Sequence, residues 1–305
     1  YEFLKIAPNP DGSITRLAPV PEAPPGEAAD QLVFSKDVPL NSSKKTYIRL
    51  FRPANPPPGT KLPLLIYFHG GGFVFFSAAT TFFHESCSRM AAALPAVVAS
   101  VDYRLAPEHR LPAAYDDAEE ALIWAKSQAL GPGSDPWMAD LADFSRIFLI
   151  GSSAGGTIVY HAALRSLDLD LKPLKIVGLI LHVVFLGGEE RTESELRLID
   201  DAVVPLHSAD LIWSLALPEG ADRNHHYGHV SLTDELKEKM AKFPACLVRA
   251  YTGDPFVDRQ KEFAEILEAS GVKVVTEIVD GGRHAVELTD AAAARATFQS
   301  FAAFV

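Results

Sequence analysis

Cysteine is nearly absent from this chain of 305 residues, which contains Cys87 and Cys246 alone. Two cysteines are too few for a disulfide scaffold and lack the spacing of a metal site, so we expect two reduced thiols in the core. Basic residues are also scarce, because 28 Lys and Arg stand against 39 Asp and Glu, a net charge of −11. Nucleic acids and anionic membranes attract basic faces, so neither is an expected partner.

Long hydrophobic runs are missing as well. No stretch approaches the roughly 20 apolar residues of a membrane span, so we expect no membrane association. The first residues have neither the basic nor the apolar part of a signal peptide, which favours a cytoplasmic location, although the chain begins at Tyr1 without Met and residues before it stay an open question. With 48% hydrophobic and 22% charged residues, the composition excludes disordered, collagenous and coiled-coil chains.

Short apolar runs alternate with helical patterns along the chain. The runs predict strands at residues 46–51, 64–68, 96–101, 147–150, 176–181, 246–251 and 274–279, and the patterns predict helices at 112–128, 154–166 and 258–269. Such alternation is typical of an α/β fold with a mostly parallel sheet. We expect a single domain, 1–305, in which a Pro-rich arm (about 1–40) and an insertion (about 189–230) form a helical cap.

A serine lies in a glycine-rich turn between a predicted strand and a predicted helix. The turn has the pattern G-x-S-x-G, as Gly151-Ser152-Ser153-Ala154-Gly155. In that setting the glycines allow a tight turn, and Ser153 projects its hydroxyl above the sheet as a nucleophile. The alternative is an ordinary glycine turn with an incidental serine.

A second glycine-rich loop, His69-Gly70-Gly71-Gly72, follows an earlier strand. We expect the N–H groups of Gly71 and Gly72, with that of Ala154, to form an oxyanion hole. A flexible glycine turn is the alternative, and a phosphate loop is disfavoured because no Gly-Lys-Ser/Thr follows.

A serine nucleophile needs a base, and the base needs a carboxylate to orient it. Asp254 directly follows the predicted strand at 246–251, and His284 follows the strand at 274–279. Both therefore belong at the carboxyl edge of the sheet, where α/β folds place their sites. Asp258 competes for the acid role, but its position predicts the first turn of a helix instead.

Other histidines favour structural roles. His225, His226 and His229 form a local cluster, yet no neighbouring carboxylate or cysteine completes a metal-ligand set. We therefore expect neither a metal nor a cofactor.

The motifs together resemble the plant carboxylesterases of the hormone-sensitive-lipase-like branch of the α/β-hydrolases. The resemblance spans nearly the whole chain and rests on the runs HGGGF at 69–73, DYRLAPE at 102–108, GSSAGG at 151–156 and GDP at 253–255. It implies an esterase fold with a cap, a Ser153-Asp254-His284 triad and an oxyanion hole in the HGGG loop. For the DYRLAPE run it implies a structural role, and we expect Arg104 and Asp117 to form internal ion pairs.

The same branch supplies the competing hypotheses. Gibberellin receptors of this branch have lost the catalytic histidine, whereas His284 is present here. Isoflavanone dehydratases often carry Thr at the nucleophile position, whereas Ser153 is intact. Alkaloid cyclases can keep much of the triad, so a lyase or cyclase of plant specialised metabolism stays an alternative to hydrolysis.

The chain departs from the family at a predicted pocket strand. Relatives usually have a polar residue and Pro before aromatic residues and a Gly-Gly pair, whereas this chain has Val183-Val184-Phe185-Leu186-Gly187-Gly188. This change suggests either a pocket adapted to an apolar ligand or simple repacking. A second departure, Tyr227-Gly228-His229 in place of Cys-Asn-Pro, affects the closing loop of the cap. The expected pocket residues are Phe73, Val183, Val184, Phe185, Trp213 and Val257.

The sequence thus predicts a serine carboxylesterase that acts on small, largely apolar esters through an acyl-enzyme. The alternatives are a carboxylesterase-like lyase or cyclase and a gibberellin-receptor-like binding protein. The expected partner is a small-molecule ester, and both a monomer and a homodimer are compatible with the composition.

Overall fold

Eight strands pair into one central sheet in the computed structural model, which describes residues 1–28 and 30–305. Ala29, within the predicted N-terminal arm, lies outside the described residues. The strands of the sheet are β3 (Val33–Asn41), β4 (Thr46–Pro53), β5 (Leu62–Phe68), β6 (Val97–Asp102), β7 (Ala142–Ser152), β8 (Ile176–His182), β9 (Ala245–Tyr251) and β10 (Val274–Val279). A separate hairpin in the arm joins β1 (Ile6–Pro8) to β2 (Ile14–Arg16).

The strand order is β10-β9-β8-β7-β5-β6-β4-β3. Neighbours from β10 to β6 run parallel, whereas β4 is antiparallel to both β6 and β3. Because parallel strands end at one edge, the loops after β5, β7, β9 and β10 meet above the sheet. The mostly parallel sheet agrees with the alternating pattern of the sequence.

Helices lie between and beyond the strands. They are α1 (Thr81–Ala93), α2 (Ala113–Leu130), α3 (Pro136–Leu141), α4 (Ala154–Ser166), α5 (Glu193–Arg197), α6 (Leu206–Ala216), α7 (Asp234–Met240), α8 (Val257–Ala269) and α9 (Ala291–Phe304). None of those described is long and apolar enough to traverse a bilayer.

The middle of the sheet is covered on both faces. Every residue of β5 is buried, and its side chains alternate between two hydrophobic clusters. Leu64 and Ile66 belong to the cluster that α2, α4 and α8 cover, whereas Leu65 and Tyr67 belong to the cluster under α1 and α9. Strands buried on both faces read as continuous apolar runs, which is why these strands were visible in the sequence.

The two cysteines lie buried and unpaired on opposite sides of the sheet, Cys87 on α1 and Cys246 on β9. The ion pair expected for Arg104 forms with Asp117 at 2.7 Å between Nη2 and Oδ1. Residues 33–41, most of which were expected in the N-terminal arm, form the edge strand β3 of the main sheet.

Candidate active site

Ser153 occupies a sharp turn between β7 and α4. Its backbone has φ 57° and ψ −123°, a positive-φ conformation that residues other than glycine rarely adopt. The turn is tight because β7 and α4 nearly touch: a Cβ on Gly151 would lie 2.0 Å from the carbonyl oxygen of Gly155. The strain at Ser153 therefore holds its hydroxyl at the carboxyl edge of the sheet, as expected for a nucleophile elbow.

His284 and Asp254 meet Ser153 in a chain of hydrogen bonds. His284 Nε2 lies 2.9 Å from Ser153 Oγ, and His284 Nδ1 lies 2.8 Å from Asp254 Oδ2. The serine comes from the end of β7, the aspartate from the loop after β9 and the histidine from the loop after β10. The structure thus brings together the three side chains that the sequence singled out at three strand ends.

Asp254 is fully buried and accepts two further hydrogen bonds. Its Oδ1 accepts from the backbone N–H of Phe256 at 2.9 Å, and its Oδ2 also accepts from Gln260 Nε2 at 3.1 Å. Gln260 donates in addition to the carbonyl oxygen of Val184. These contacts fix the carboxylate, and no sequence pattern singles out Gln260.

Burial and the neighbouring carboxylate shift the pKa of His284 in opposite directions. Burial disfavours the charged imidazolium, but the charge of Asp254 and its hydrogen bond to Nδ1 outweigh it, so the pKa of His284 is raised above 6.5. An ionised carboxylate only accepts hydrogen bonds, so Nδ1 carries the proton and Nε2 is free to accept one from Ser153. This is the tautomer that a general base for Ser153 requires.

Backbone donors lie beside the serine in the glycine loop and at the start of α4. The N–H groups of Gly71, Gly72 and Ala154 have no hydrogen-bond partner among the described residues. Gly71 has φ +112°, and a Cβ there would lie 2.4 Å from the carbonyl oxygen of Phe75, so the loop requires glycine at this position. The loop and the N-terminus of α4 can donate to a negative oxygen formed at Ser153.

The triad opens into a cavity of about 460 Å³, which Ser153, His284, Gly71 and Gly72 also line. One wall is aromatic and contains Phe75, Phe76, Phe82, Phe83 and Phe185. Other lining residues come from the arm and the insertion and are Phe3, Leu4, Val20, Val203, Val204 and Ile212. The size matches that of small-molecule sites, and the walls favour an apolar ligand.

Phe185 is the one of the six expected pocket residues that lines this cavity. Trp213 lies behind it, with its ring stacked on Phe185 at 4.6 Å between centroids. Phe73 is directed into the core, where it packs against Trp213 and Tyr115. Adjacency to the HGGG loop is therefore not sufficient to place a side chain in the pocket, because Phe73 turns away from it.

Val183, Val184 and Val257 are fully buried and do not line the cavity. Val183 has φ 42° and donates its N–H to the carbonyl of Arg249, and Val184 packs against Gly156 at the start of α4. Val257 begins α8. The Val183-Val184 departure thus changes the support of the site and not its apolar wall.

Arg16 fastens the arm beside the cavity. Its guanidinium donates to both carboxylate oxygens of Glu108 at 3.0 and 2.9 Å and to the carbonyls of Val74 and Ala106. Burial disfavours the ionised form of Glu108, but the hydrogen bond from Arg16 outweighs it, and the pKa of Glu108 falls below 4.5. One side chain therefore joins the arm to the DYRLAPE segment and to the chain that follows the glycine loop.

The remaining candidates do not form a site. Asp258, the alternative acid, accepts the N–H of Ser194 at 2.8 Å and so joins α8 to α5. His225 and His226 stack on each other at 4.4 Å, and within residues 1–28 and 30–305 no cluster of His, Cys, Asp or Glu has the arrangement of a metal site.

Comparison with known proteins places this geometry in a family. A family model described as alpha/beta hydrolase fold matches residues 65–288. Probable carboxylesterase 8 of Arabidopsis thaliana is 50% identical over 311 residues, which cover 100% of this chain and 93% of that protein. The chain belongs to the α/β-hydrolase family.

Further similarities refine the position of this α/β-hydrolase. It is 46% identical to 3-O-acetylpapaveroxine carboxylesterase CXE1 of Papaver somniferum, over 94% of this chain and 91% of that protein. An esterase of Pyrobaculum calidifontis has a similar structure, with a TM-score of 0.73, 25% identity and coverage of 89% of this chain and 83% of that one. Gibberellin receptor GID1 of Oryza sativa subsp. japonica is 40% identical over 72% of this chain and 60% of the receptor. The expected fold, the relation to plant carboxylesterases and the class of carboxylic ester hydrolases are confirmed.

Proposed function

We propose that this α/β-hydrolase hydrolyses small, largely apolar carboxylic esters, with Ser153, His284 and Asp254 as its catalytic triad. The observation that carries the proposal is the continuous hydrogen-bond chain from Asp254 through His284 to Ser153, which ends in an apolar cavity. Gly71 and Gly72 line that cavity with Ser153, and Ala154 directly follows Ser153. Their N–H groups have no hydrogen-bond partner within the described part of the chain and complete the set of groups that acyl transfer requires.

The geometry supports a two-step reaction. Ser153 Oγ attacks the ester carbonyl carbon while His284 Nε2 takes the hydroxyl proton, and the carbonyl oxygen becomes an oxyanion held by the three backbone N–H groups. The C–O bond to the alcohol then breaks, His284 returns the proton to the departing alkoxide, and an acyl-enzyme remains. Water attacks that ester in the same way, with His284 as base, and releases the acid and Ser153. Asp254 stabilises the imidazolium in both steps.

The cavity and the relatives together favour a small ester with an apolar part. The cavity is bounded mainly by phenylalanine and aliphatic side chains. The name of the similar poppy enzyme, 3-O-acetylpapaveroxine carboxylesterase, describes an O-acetyl ester. We therefore expect short acyl groups to be accepted first.

The proposal extends to the surroundings of the site. The arm, before Val33, and the insertion, about 189–230, act as a cap, because both supply apolar side chains to the cavity wall. The acidic composition, with a net charge of −11, favours free small molecules as partners over nucleic acids and anionic membranes. We further propose a cytoplasmic location.

The test is hydrolysis of p-nitrophenyl esters from acetate to octanoate by the wild type and by Ser153→Ala, with Ser166→Ala at the far end of α4 as the matched control. We expect Ser153→Ala to lose about 10⁴-fold or more in kcat and Ser166→Ala to stay within about twofold. Mass spectrometry after treatment with an organophosphate should locate the adduct on Ser153. Full activity of Ser153→Ala would refute the triad, and a folded wild type with neither turnover nor adduct would favour the lyase, cyclase and receptor alternatives.

A further inference from the structure

Glu287 is a buried acid beside the triad that the mechanism above does not use. It lies three residues after His284, in the 3₁₀ turn Val286–Leu288, and its side chain is about as buried as that of His284. Buried carboxylates are uncommon in proteins unless they are paired. The partners of Glu287 therefore indicate what the buried charge does.

Both carboxylate oxygens of Glu287 face the ends of neighbouring strands. Oε2 lies 3.1 Å from Nε2 of His182, the last residue of β8, and Oε1 accepts from the hydroxyl of Ser152, the last residue of β7, at 3.4 Å. At 3.1 Å the imidazole of His182 and the carboxylate of Glu287 are close enough to form an ion pair, although the two atoms are not aligned for a hydrogen bond. Burial disfavours the ionised form of Glu287, but the attraction of His182 to the carboxylate outweighs burial. The pKa of Glu287 therefore falls below 4.5.

These two strand ends also hold the nucleophile. Ser152 directly precedes Ser153, and the backbone N–H of Ser153 donates to the carbonyl of His182 at 2.9 Å. The loop that carries His284 is thus tied through Glu287 to the residues that fix Ser153. This tie is independent of the direct His284–Ser153 hydrogen bond and of Asp254.

Several titratable groups surround Glu287 and His284. Tyr67 on β5, His182 on β8 and His284 on its own loop are the titratable groups that face Glu287. Burial lowers the pKa of His284, whereas Asp254, Glu287 and Asp201 raise it. Asp201 also accepts the N–H groups of Val203 and Val204 in the insertion. Removing the charge of Glu287 therefore removes one of three carboxylates that stabilise the imidazolium.

We propose that Glu287, held by His182 and Ser152, is a positioning residue that sets the placement of His284 relative to Ser153 and favours the imidazolium that forms during acyl transfer. The inference rests on the triad proposed above. A buried pair of this kind that served stability alone would be replaceable without a specific effect on the reaction. The two roles differ in their effect on kcat and on the pH profile.

The test compares Glu287→Gln, Glu287→Asp and the control Glu268→Gln on the surface of α8, with p-nitrophenyl acetate over a range of pH. For Glu287→Gln we expect kcat to fall about 10- to 100-fold with KM within about twofold, because a small displacement of the base slows the chemical step. The acid limb of kcat/KM should move down by about half a pH unit or more, because one carboxylate that favours the imidazolium is gone. Glu268→Gln should match the wild type.

Glu287→Asp keeps the charge and shortens its reach by one methylene. We expect its acid limb to stay at the wild-type pH, while kcat falls about fivefold or more because the tie is loosened. If Glu287→Gln does not fold, Glu287→Asp alone tests the proposal. A kcat of Glu287→Asp equal to that of the wild type would then overturn it. If Glu287→Gln folds and keeps the wild-type kcat and acid limb with only a lower melting temperature, Glu287 has a structural role. Either failure is distinct from failure of the triad, which Ser153→Ala reports separately.

Discussion

Replacement of Asp254 by asparagine tests the triad through the direction of its hydrogen bonds. In the wild type both carboxylate oxygens accept: Oδ1 from the N–H of Phe256, and Oδ2 from His284 and Gln260. Asparagine has one NH₂ group, which must face a donor whichever way the amide turns. If the amide oxygen keeps the bond to Phe256, the NH₂ group faces His284 Nδ1, which must then accept and give up its proton. The proton moves to Nε2, where it blocks acceptance from Ser153.

The expected magnitude follows from that change of tautomer. An aspartate-to-asparagine exchange in a triad costs about 10⁴ in kcat, and at about 1.4 kcal/mol per factor of ten this corresponds to about 5 kcal/mol of transition-state stabilisation. We therefore expect Asp254→Asn to lower kcat about 10⁴-fold while KM for p-nitrophenyl acetate changes little. The folded state should persist, because size and packing are kept.

Asp258→Asn is the matched control, since Asp258 lies four residues away and was the competing candidate. Its carboxylate accepts from the N–H of Ser194 and contacts Lys261, so it supports the α5–α8 contact and not His284. We expect its kcat to stay within about fivefold of the wild type. Steady-state kinetics with circular dichroism of all three proteins checks this. A folded Asp254→Asn with kcat within tenfold of the wild type would refute the reasoning.

Three further predictions concern the base, the elbow and the arm. Because the pKa of His284 is raised above 6.5 and its neutral form is the base, kcat/KM should rise with pH through a midpoint above 6.5, and a midpoint below that value would contradict the assignment. Gly155→Ala places a Cβ 2.0 Å from the carbonyl of Phe68 at the end of β5, so urea unfolding should show a loss of about 3 kcal/mol in the free energy of unfolding. An unchanged midpoint would argue against the close approach of α4 to β5. Arg16→Ala removes four hydrogen bonds of the arm, so KM should rise about tenfold and the arm should become sensitive to protease. Arg89→Ala, at an exposed side chain of α1, should change neither.

The sequence predicted the parts of the fold that are periodic and buried. Residues 154–166 and 274–279 were expected as a helix and a strand with the bounds that the structure has, and β5, β7, β8 and β9 were expected with bounds shorter by one to several residues. The strand ends then placed Ser153, Asp254 and His284 at one edge, because parallel strands share an edge. The topology of the sheet therefore brings together residues that lie in three separate parts of the sequence.

Other elements had no such pattern. Helix α1 has no side-chain cap and no acidic first turn, so nothing marked its start. The arm hairpin consists of three-residue strands separated by turns and prolines, and its fold depends on contacts such as Arg16 with Glu108 rather than on local preference. Glu287 and Gln260 are of residue types that usually lie on the surface, so their burial beside the triad could be found only from the tertiary structure.

The Val183-Val184 departure shows how a sequence difference near a site can act indirectly. The change to two valines suggested either a more apolar pocket or repacking of the core, and their side chains are buried away from the cavity, as repacking predicts. The carbonyl of Val184 instead accepts from Gln260, whose amide also donates to Asp254. The cavity owes its apolar character to Phe185, to phenylalanines after the glycine loop and to aliphatic side chains of the arm and the insertion. The Val183-Val184 pair therefore supports the acid through its backbone, whereas the wall of the cavity comes from Phe185 and from residues far from this pair in the sequence.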